Sequence, residues 1–221
     1  MKSTLFDSDR YRAVQDKVKD FLNEQQEFLS GSTARSLRVV GDAIQEILSE
    51  HFPAIVGSDV CAKYSSDFAR RAMADLAFED QAGLYYVVDV KTHRLSTKFN
   101  MPNLTSVERL TRFYEDDKNY FVLLMIDYDI DGLRAVIENV TFVPIEFLGW
   151  DCLTIGALGW GQIQIANSNR ISLNPRYSRR KWIIELCDTL LEFYPKEIAK
   201  IDKRMAHFQK IRDQWEKRVE P

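Results

Sequence analysis

Apolar residues repeat at helical spacing in two segments near the N-terminus. The first helix is predicted to begin at a Ser8 cap and to end before a loop at 30–33, with apolar positions at Tyr11, Val14, Val18, Phe21, Leu22 and Phe28. The second is predicted over 35–51 and closed by Pro53, with an apolar stripe of Leu37, Val40, Ile44, Ile47 and Leu48. Each helix therefore has one face suited to a hydrophobic core.

Continuous or alternating apolar runs predict strands further along the chain. A short strand-like piece at 55–64 precedes a hairpin in which 74–79 and 84–91 flank a turn at 80–83. Two long strands are predicted within 119–143, joined at the turn-forming pair Asp131-Gly132.

One more strand and two more helices complete the pattern. The segment "GQIQIAN" at 161–167 alternates like a strand, and 105–116 has a helical pattern. A last helical segment is predicted from a Ser178 cap to about 217, interrupted or kinked at Pro195, and no internal repeat is evident. This order predicts a mixed α/β (α+β) fold with a central sheet flanked by helices.

Composition is that of a soluble globular protein with one sizeable core. The 221 residues are 45% hydrophobic and 29% charged, which favours a single domain over 1–221. No apolar run reaches the roughly 18 residues of a membrane span, and "MKSTLFDSDR" lacks the apolar segment of a signal peptide, so we expect a cytoplasmic protein with no membrane partner. Cys61, Cys152 and Cys187 are odd in number and far apart, which fits neither a disulfide framework nor a zinc motif and favours reduced, partly buried thiols.

Net charge gives no general attraction to nucleic acid. It is −3, so a nucleic-acid partner would have to be held by local basic patches such as those at 70–71, 91–98 and 176–181. Each patch by itself is more often a solvated surface. Balanced charge does not exclude DNA, because carboxylates gathered around a metal lower the total while lysines and arginines elsewhere meet phosphates.

A calcium-loop spacing occurs at 127–138 and is rejected on context. Its ligand positions would be Asp127, Asp129, Asp131 and Glu138, with Gly132 at the turn. Such a loop works between two helices, whereas "YFVLLMI" before it and "AVIENVTF" after it are typical of strands.

The stretch "YYVVDVKTHRLSTKFNMPN" places two opposite charges at the end of an apolar strand. Residues two apart in a strand share a face, so Asp89 and Lys91 project together while Val88 and Val90 point the other way. If the hairpin loop has five residues, Asp75 lies directly opposite Asp89, and a slip of one residue would separate them.

Two adjacent carboxylates repel unless a cation lies between them. Mg²⁺ prefers hard oxygen ligands, so Asp75, Asp89 and the Val90 carbonyl would form a plausible shell, with Lys91 orienting or deprotonating a water for phosphodiester hydrolysis. The alternative is a structural ion pair, since Asp-x-Lys occurs easily by chance, as at Asp116 to Lys118.

The spacing from Asp75 to "DVK" resembles the PD-(D/E)xK nuclease motif, with Ala74 in place of the proline. In order and spacing, "MADLAF", "VVDVKTHRLST", "MPNLTSVERL" and "GQIQIANSNRISLNPRYSRRKW" resemble type II restriction endonucleases of the HincII kind within the EcoRV-like class. The likeness covers roughly 35–215 and less clearly the first thirty residues. It implies a restriction-endonuclease-like fold with a central mixed β-sheet.

Carried over residue by residue, the resemblance assigns a nuclease site. Asp75 and Asp89 would be the metal ligands, with Mg²⁺ as the cofactor, and Lys91 the catalytic lysine. A supporting carboxylate on the preceding helix would be Asp42 first or Glu46 second, and Thr92 would contact the ligands or a phosphate.

DNA contacts are expected from two other segments. The resemblance places "GQIQIANSNRISLN" in the major groove, where amides and guanidinium groups read base edges; the candidates are Gln162, Gln164, Asn167, Asn169 and Arg170, although the glutamines are equally suited to a solvent-facing strand. It places "LSTKFNMPN" in the minor groove, with Phe99 as a wedge and Lys98 and Asn100 beside it. A core position for Phe99 is the alternative.

The expected activity is cleavage of both strands of duplex DNA at a short palindrome, leaving blunt ends. A palindrome fits a two-fold homodimer, for which 1–34 is a candidate dimerisation or DNA-embracing element beside a catalytic and recognition core at 35–221. No nucleotide cofactor is expected. The alternatives are a repair or recombination nuclease of the same fold and a non-catalytic DNA-binding relative.

Overall fold

The computed structural model describes residues 3–25, 36–65 and 74–218. Contacts divide the chain into two compact units, Met1–Arg176 and Tyr177–Pro221. The first unit contains the sheets and the second a single long helix. The expectation of one domain over 1–221 stays a prediction.

Two helices pack on one face of the central sheet. Helix α1 spans Arg10–Glu24 and α2 spans Leu37–Val56, and their buried side chains follow the predicted stripes. The N-cap of α1 is Asp9 rather than Ser8, whereas Ser36 caps α2 by accepting from the Val39 amide. Phe28 and the loop at 30–33 lie outside the described residues.

Helix α2 continues through Pro53, so the predicted stop there is wrong. Proline lacks an amide hydrogen and leaves the Ser49 carbonyl without its helical donor. The Tyr64 hydroxyl donates to that carbonyl instead, at 2.6 Å. Burial of Phe52 and Val56 on the same stripe favours continuing the helix to Gly57.

The central sheet has five strands in the order β1-β2-β3-β5-β6. Their bounds are Lys63–Tyr64 (β1), Leu76–Glu79 (β2), Tyr85–Arg94 (β3), Asn119–Asp131 (β5) and Arg134–Pro144 (β6). β3 and β5 run parallel and the other neighbours antiparallel, which confirms an α+β protein with a mixed central sheet flanked by helices. The strand-like piece predicted at 55–64 reduces to β1, because 55–56 belong to α2.

A second, three-stranded sheet has the order β4-β8-β7. These strands are Asn103–Ser106 (β4), Leu153–Gly156 (β7) and Gln162–Ile165 (β8), of which only β8 was predicted. Helix α3, Val107–Phe113, begins at the Ser106 cap and is shorter than the predicted 105–116.

The core lies against one face of β3 and β5. Tyr86, Val88 and Val90 on β3 join a buried cluster with α1 and α2. The alternate residues point to the other face of β3, where the apolar run gives way to Asp89, Lys91 and His93.

The second unit is helix α4, Arg179–Glu216, capped by Ser178. It runs continuously through Pro195, so the predicted interruption is wrong, and the alternative of a kink there stays a prediction. Within the described residues, no helix is long and apolar enough to cross a membrane.

Candidate active site

The turn between β2 and β3 sets their register. Asp80 accepts from the amides of Ala82 and Leu84 through Oδ1 and from the Tyr86 hydroxyl through Oδ2. These three bonds shape the five-residue loop at 80–84. An aspartate in a turn commonly binds the backbone in this way, so the local sequence helps to determine the pairing.

The register is the one that brings the two predicted ligands together. Leu76 and Val88 form the last pair of the ladder, and the Asp75 amide also donates to the Val88 carbonyl at 3.0 Å. Asp75 therefore lies just beyond the paired residues, close enough for its charge to act on the Asp89 carboxyl. The condition stated from the sequence, a five-residue loop, is confirmed.

Asp89 is 5% exposed and accepts from the Lys91 ammonium through Oδ1 at 2.6 Å. Its second oxygen, Oδ2, is buried and has no hydrogen-bond partner among the described residues. Burial raises the pKa of Asp89 to about 7; Lys91 acts in the lowering direction and the charge of Asp75 adds to the rise. The carboxylate is therefore held in an environment that a further cation would stabilise.

Asp75 is positioned by the backbone of β3 and by helix α2. Its Oδ2 accepts from the Val90 amide at 2.7 Å, and its Oδ1 accepts from the Gln45 side-chain amide. A contact of Gln45 with Asp75 was not predicted, because the supporting role on this helix was assigned to the carboxylates Asp42 and Glu46.

The donor set fits a hard divalent cation. In a strand the amide and carbonyl of one residue point to the same side, so the Val90 carbonyl shares the edge on which Asp75 binds the Val90 amide. The β2–β3 ladder ends at Leu76 and Val88, short of this carbonyl. Two carboxylates, one with an unpartnered buried oxygen, and a carbonyl suit Mg²⁺, which keeps several waters. In the described part of the chain no three His, Cys, Asp or Glu side chains form a metal-binding group.

The supporting roles predicted for Asp42, Glu46 and Thr92 stay predictions. Asp42 and Glu46 are exposed, and Asp42 pairs with Arg38 at 3.8 Å. Thr92 points to the opposite face of β3 from Asp89, where its Oγ1 would lie 2.7 Å from a Cβ built on Gly41 of α2. The helix approaches β3 this closely because residue 41 has no side chain.

A polar pair beyond Lys91 was not predicted. His93 is 2% exposed and lies beside Asp127 on the parallel strand β5. In the described structure His93 Nδ1 and Asp127 Oδ1 are buried without a hydrogen-bond partner. Burial raises the pKa of Asp127, whereas Asn139 and His93 act in the opposite direction. The signal available in the sequence was His93 on the same strand face as Asp89 and Lys91.

Asn169 connects the segments predicted to contact DNA. Its side-chain amide donates to the carbonyls of Thr97 and Lys98, at 3.1 and 3.2 Å, and to Asn167 Oδ1 at 3.2 Å. Its Oδ1 lies 3.1 Å from His93 Nε2. Asn169 therefore joins the loop after β8 to the end of β3.

The remaining DNA-contact candidates differ in exposure. Phe99 is 59% exposed, so the alternative of a core phenylalanine is wrong, and Lys98 and Arg170 are also exposed. Asn100 and Gln162 are half-buried. Gln164 donates to Asn103 Oδ1 across the β4–β8 pair, so its amide is engaged within the sheet.

Three further expectations have structural outcomes. The segment 127–138 is a β-hairpin with Gly132 at positive φ, which agrees with the rejection of a calcium loop. Cys61, Cys152 and Cys187 are free thiols, the first two buried. The basic pair at 70–71 lies outside the described residues.

In comparisons with known proteins, no family model matches this chain, and no curated protein matches it.

Proposed function

We propose that this chain is a Mg²⁺-dependent type II restriction endonuclease that hydrolyses both strands of duplex DNA at a short palindrome and leaves blunt ends. The observation that best supports this proposal is the arrangement of charged side chains at the end of β3. Asp75 lies near a buried Asp89 that has one unpartnered oxygen, and Lys91 contacts the other oxygen. A structural ion pair has no need of the second carboxylate.

The chemistry divides between the metal and the side chains. Bound Mg²⁺ would acidify a water and stabilise negative charge on the phosphoryl oxygens. Asp75 and Asp89 would hold the cation, and the Val90 amide and Gln45 fix the Asp75 carboxylate. Lys91 would orient the water and, having passed its own proton to solvent, accept a proton from the water as the water oxygen attacks phosphorus. The bond from phosphorus to the 3′ oxygen breaks and that oxygen takes a proton from solvent, which gives a 5′-phosphate and a 3′-hydroxyl.

DNA contacts are proposed for exposed residues near this site. Arg170 and Lys98 offer cationic groups, and Phe99 offers an exposed ring suited to a wedge between base pairs. Asn169 would keep its hydrogen bonds to Thr97 and Lys98 and position the loops, or exchange them for a base.

The partners follow from the reaction. A palindrome cut in both strands requires two active sites related by a two-fold axis, so the proposed assembly is a homodimer on double-stranded DNA. The proposed location is the cytoplasm, where such an enzyme would meet its DNA.

Cleavage of unmethylated phage DNA by the purified chain, with Mg²⁺ or with EDTA, tests the proposal. Discrete Mg²⁺-dependent fragments whose sequenced ends share one blunt-cut palindrome are the expected result. Cutting without a shared sequence would instead favour a repair or recombination nuclease. Binding without any cutting would favour a non-catalytic DNA-binding protein.

Asp89→Asn provides the matched control, because it keeps the shape of the side chain and removes the negative charge. It should bind DNA as the unaltered chain does and fail to cut. Full cleavage by Asp89→Asn would remove this carboxylate from the reaction and return it to a structural role.

A further inference from the structure

Helix α4 carries a long apolar stripe that is exposed to solvent. Its large members range from 37% exposed at Tyr194 to 71% at Leu191. They are Ile184, Leu191, Tyr194, Ile198, Ile201, Met205, Phe208 and Trp215. Exposed apolar surface of this extent marks an interaction site.

The apolar positions of the stripe follow a seven-residue spacing. One set of positions is Ile184, Leu191, Ile198, Met205 and Arg212, and the other is Cys187, Tyr194, Ile201, Phe208 and Trp215. The sets alternate at steps of three and four, as the a and d positions of a coiled coil do. A straight helix drifts about 20° per heptad from such a repeat, so keeping it over 184–215 indicates supercoiling around another helix.

We propose that this face pairs with the same face of a second copy of the chain in an antiparallel two-stranded coiled coil. In the central register the a residues of one copy lie opposite d residues of the other. The resulting layers are Ile184 with Trp215, Cys187 with Arg212, Leu191 with Phe208, Tyr194 with Met205, and Ile198 with Ile201, each occurring twice.

Residues flanking the seam agree with this direction. The g positions face each other in an antiparallel pair, which places Glu197 opposite Arg204 and Leu190 opposite Ile211. The e positions at the ends place Lys181 opposite Glu216. These pairs join opposite charges or two apolar residues, whereas the inner e positions place Asp188 opposite Gln209 and Pro195 opposite Asp202. Each contact is repeated by symmetry.

A parallel pair fits the same residues poorly. There each g position faces the e position five residues later in the other copy, which brings Glu197 against Asp202 and Leu190 against Pro195. The like charges on the flank disfavour that arrangement. Pro195 lies outside the a and d positions in either direction.

The inference deepens the proposed function, since a two-fold dimer is what a palindromic DNA site requires. Antiparallel pairing through the centre of 184–215 generates a two-fold axis between the copies without any DNA contact. It would supply the dimer contact expected of this class from the C-terminal helix, whereas the buried face of α1, with Val14, Val18 and Leu22, packs in the core of its own chain.

Sedimentation equilibrium of the full chain without DNA is the first test. The expected mass is twice the 25.8 kDa of one chain. Ile198→Glu should raise the dimer dissociation constant by more than about 100-fold, because it buries two unpaired charges in the central layers. Ala199→Glu adds the same charge one position away from the seam and should leave the mass unchanged.

Charge reversal tests the direction without burying a charge. Arg204→Glu should weaken an antiparallel dimer by about tenfold, and adding Glu197→Arg should restore it. Glu197→Arg by itself also breaks the ion pair of Glu197 with Lys200 of its own helix, so the double variant is the decisive one. A dimer strengthened by Glu197→Arg would indicate parallel pairing and overturn the proposal. A monomeric unaltered chain, or a dimer insensitive to both Ile198→Glu and the charge reversals, would overturn it as well.

Oxidative cross-linking gives an independent reading through the exposed Cys187. In the antiparallel pair the two copies of Cys187 lie roughly 37 Å apart along the helices, at about 1.5 Å per residue, so the unaltered chain should not cross-link. Arg212→Cys should cross-link readily, because residue 212 of one copy lies opposite Cys187 of the other. Cross-linking of the unaltered chain through Cys187 would contradict the proposed direction.

These measurements test the coiled-coil interface independently of the proposed nuclease activity. Dimerisation with the predicted variant effects in a chain that does not cut DNA would retain the interface and reject the proposed function. Cutting at a palindrome by a chain whose dimer is insensitive to the seam variants would do the reverse.

Discussion

Asp89 is expected to make the metal-free protein less stable as the pH rises. Its pKa in the folded chain is about 7 because of burial, against an ordinary value of 3.8. Between these values the folded state holds a proton that the unfolded state has released, so raising the pH favours unfolding. The contribution of Asp89 to the free energy of unfolding is fully present below about pH 4 and is lost as the pH rises through about 7.

The difference between the two pKa values sets the magnitude. At about 1.36 kcal/mol per pKa unit it corresponds to at most about 4 kcal/mol across this interval. Other carboxylates add their own pH dependence, so the comparison is with Asp89→Asn, which lacks the titrating group. Relative to that variant, the unaltered chain should lose up to about 4 kcal/mol of unfolding free energy.

Urea unfolding in EDTA, followed by circular dichroism, measures both proteins at a series of pH values between about 4 and 8. Mg²⁺ at about 100 times its dissociation constant should then stabilise the unaltered chain by about 2.7 kcal/mol near pH 8 and leave Asp89→Asn unaffected. Stability curves that run parallel for the two proteins in EDTA would refute the reasoning from burial. A Mg²⁺ effect of equal size in both would reject Asp89 as a ligand.

Three other perturbations have defined outcomes. Lys91→Ala should lower cleavage by about 10²- to 10⁴-fold while gel-shift binding of DNA persists, and unimpaired cleavage would exclude Lys91 from proton transfer. Asn169→Ala should lower the free energy of unfolding by about 0.5–1.5 kcal/mol, because it removes solvent-exposed hydrogen bonds to the Thr97 and Lys98 carbonyls that water replaces in part, whereas Arg170→Ala should leave stability unchanged and weaken site discrimination in cleavage assays. Gly41→Ala should cost about 1–3 kcal/mol of unfolding free energy because its Cβ would meet Thr92 Oγ1, and Thr92→Ala should relieve that cost in a double-mutant cycle; additive effects would show that the two residues do not interact.

Local patterns predicted much of the scaffold. The apolar run of β3 and the Asp131-Gly132 turn of the next hairpin follow rules that act over a few residues. The register of β2 and β3 also had a local cause, since Asp80 organises the five-residue loop through its own neighbours. For this reason the closeness of Asp75 and Asp89 could be stated conditionally from the sequence.

The features that the sequence did not predict depend on contacts between segments that are distant along the chain. The Tyr64 hydroxyl donates to the Ser49 carbonyl, so α2 continues through Pro53, although proline by itself predicts the end of a helix. Gln45 reaches Asp75 although Asp42 and Glu46 were the carboxylates on that helix, because the face that α2 presents is set by packing. Asn169 was considered only as a reader of bases, whereas its amide joins loops more than seventy residues apart.

The seven-residue spacing of α4 is a pattern that the sequence contains but whose meaning only the structure reveals. The spacing is fully present in the sequence, yet apolar residues at three and four positions apart are equally typical of a helix packed in a core. Only the folded chain leaves Leu191 and Phe208 exposed.

By itself the sequence determined the apolar strand that carries Asp89 and Lys91 and the loop that brings Asp75 to it, because turn chemistry and strand periodicity act locally. The tertiary structure alone decided the burial of Asp89, the choice of Gln45 as the partner of Asp75, and the exposure of the α4 stripe. Each of these depends on which surfaces meet and exclude water, and no local rule specifies that.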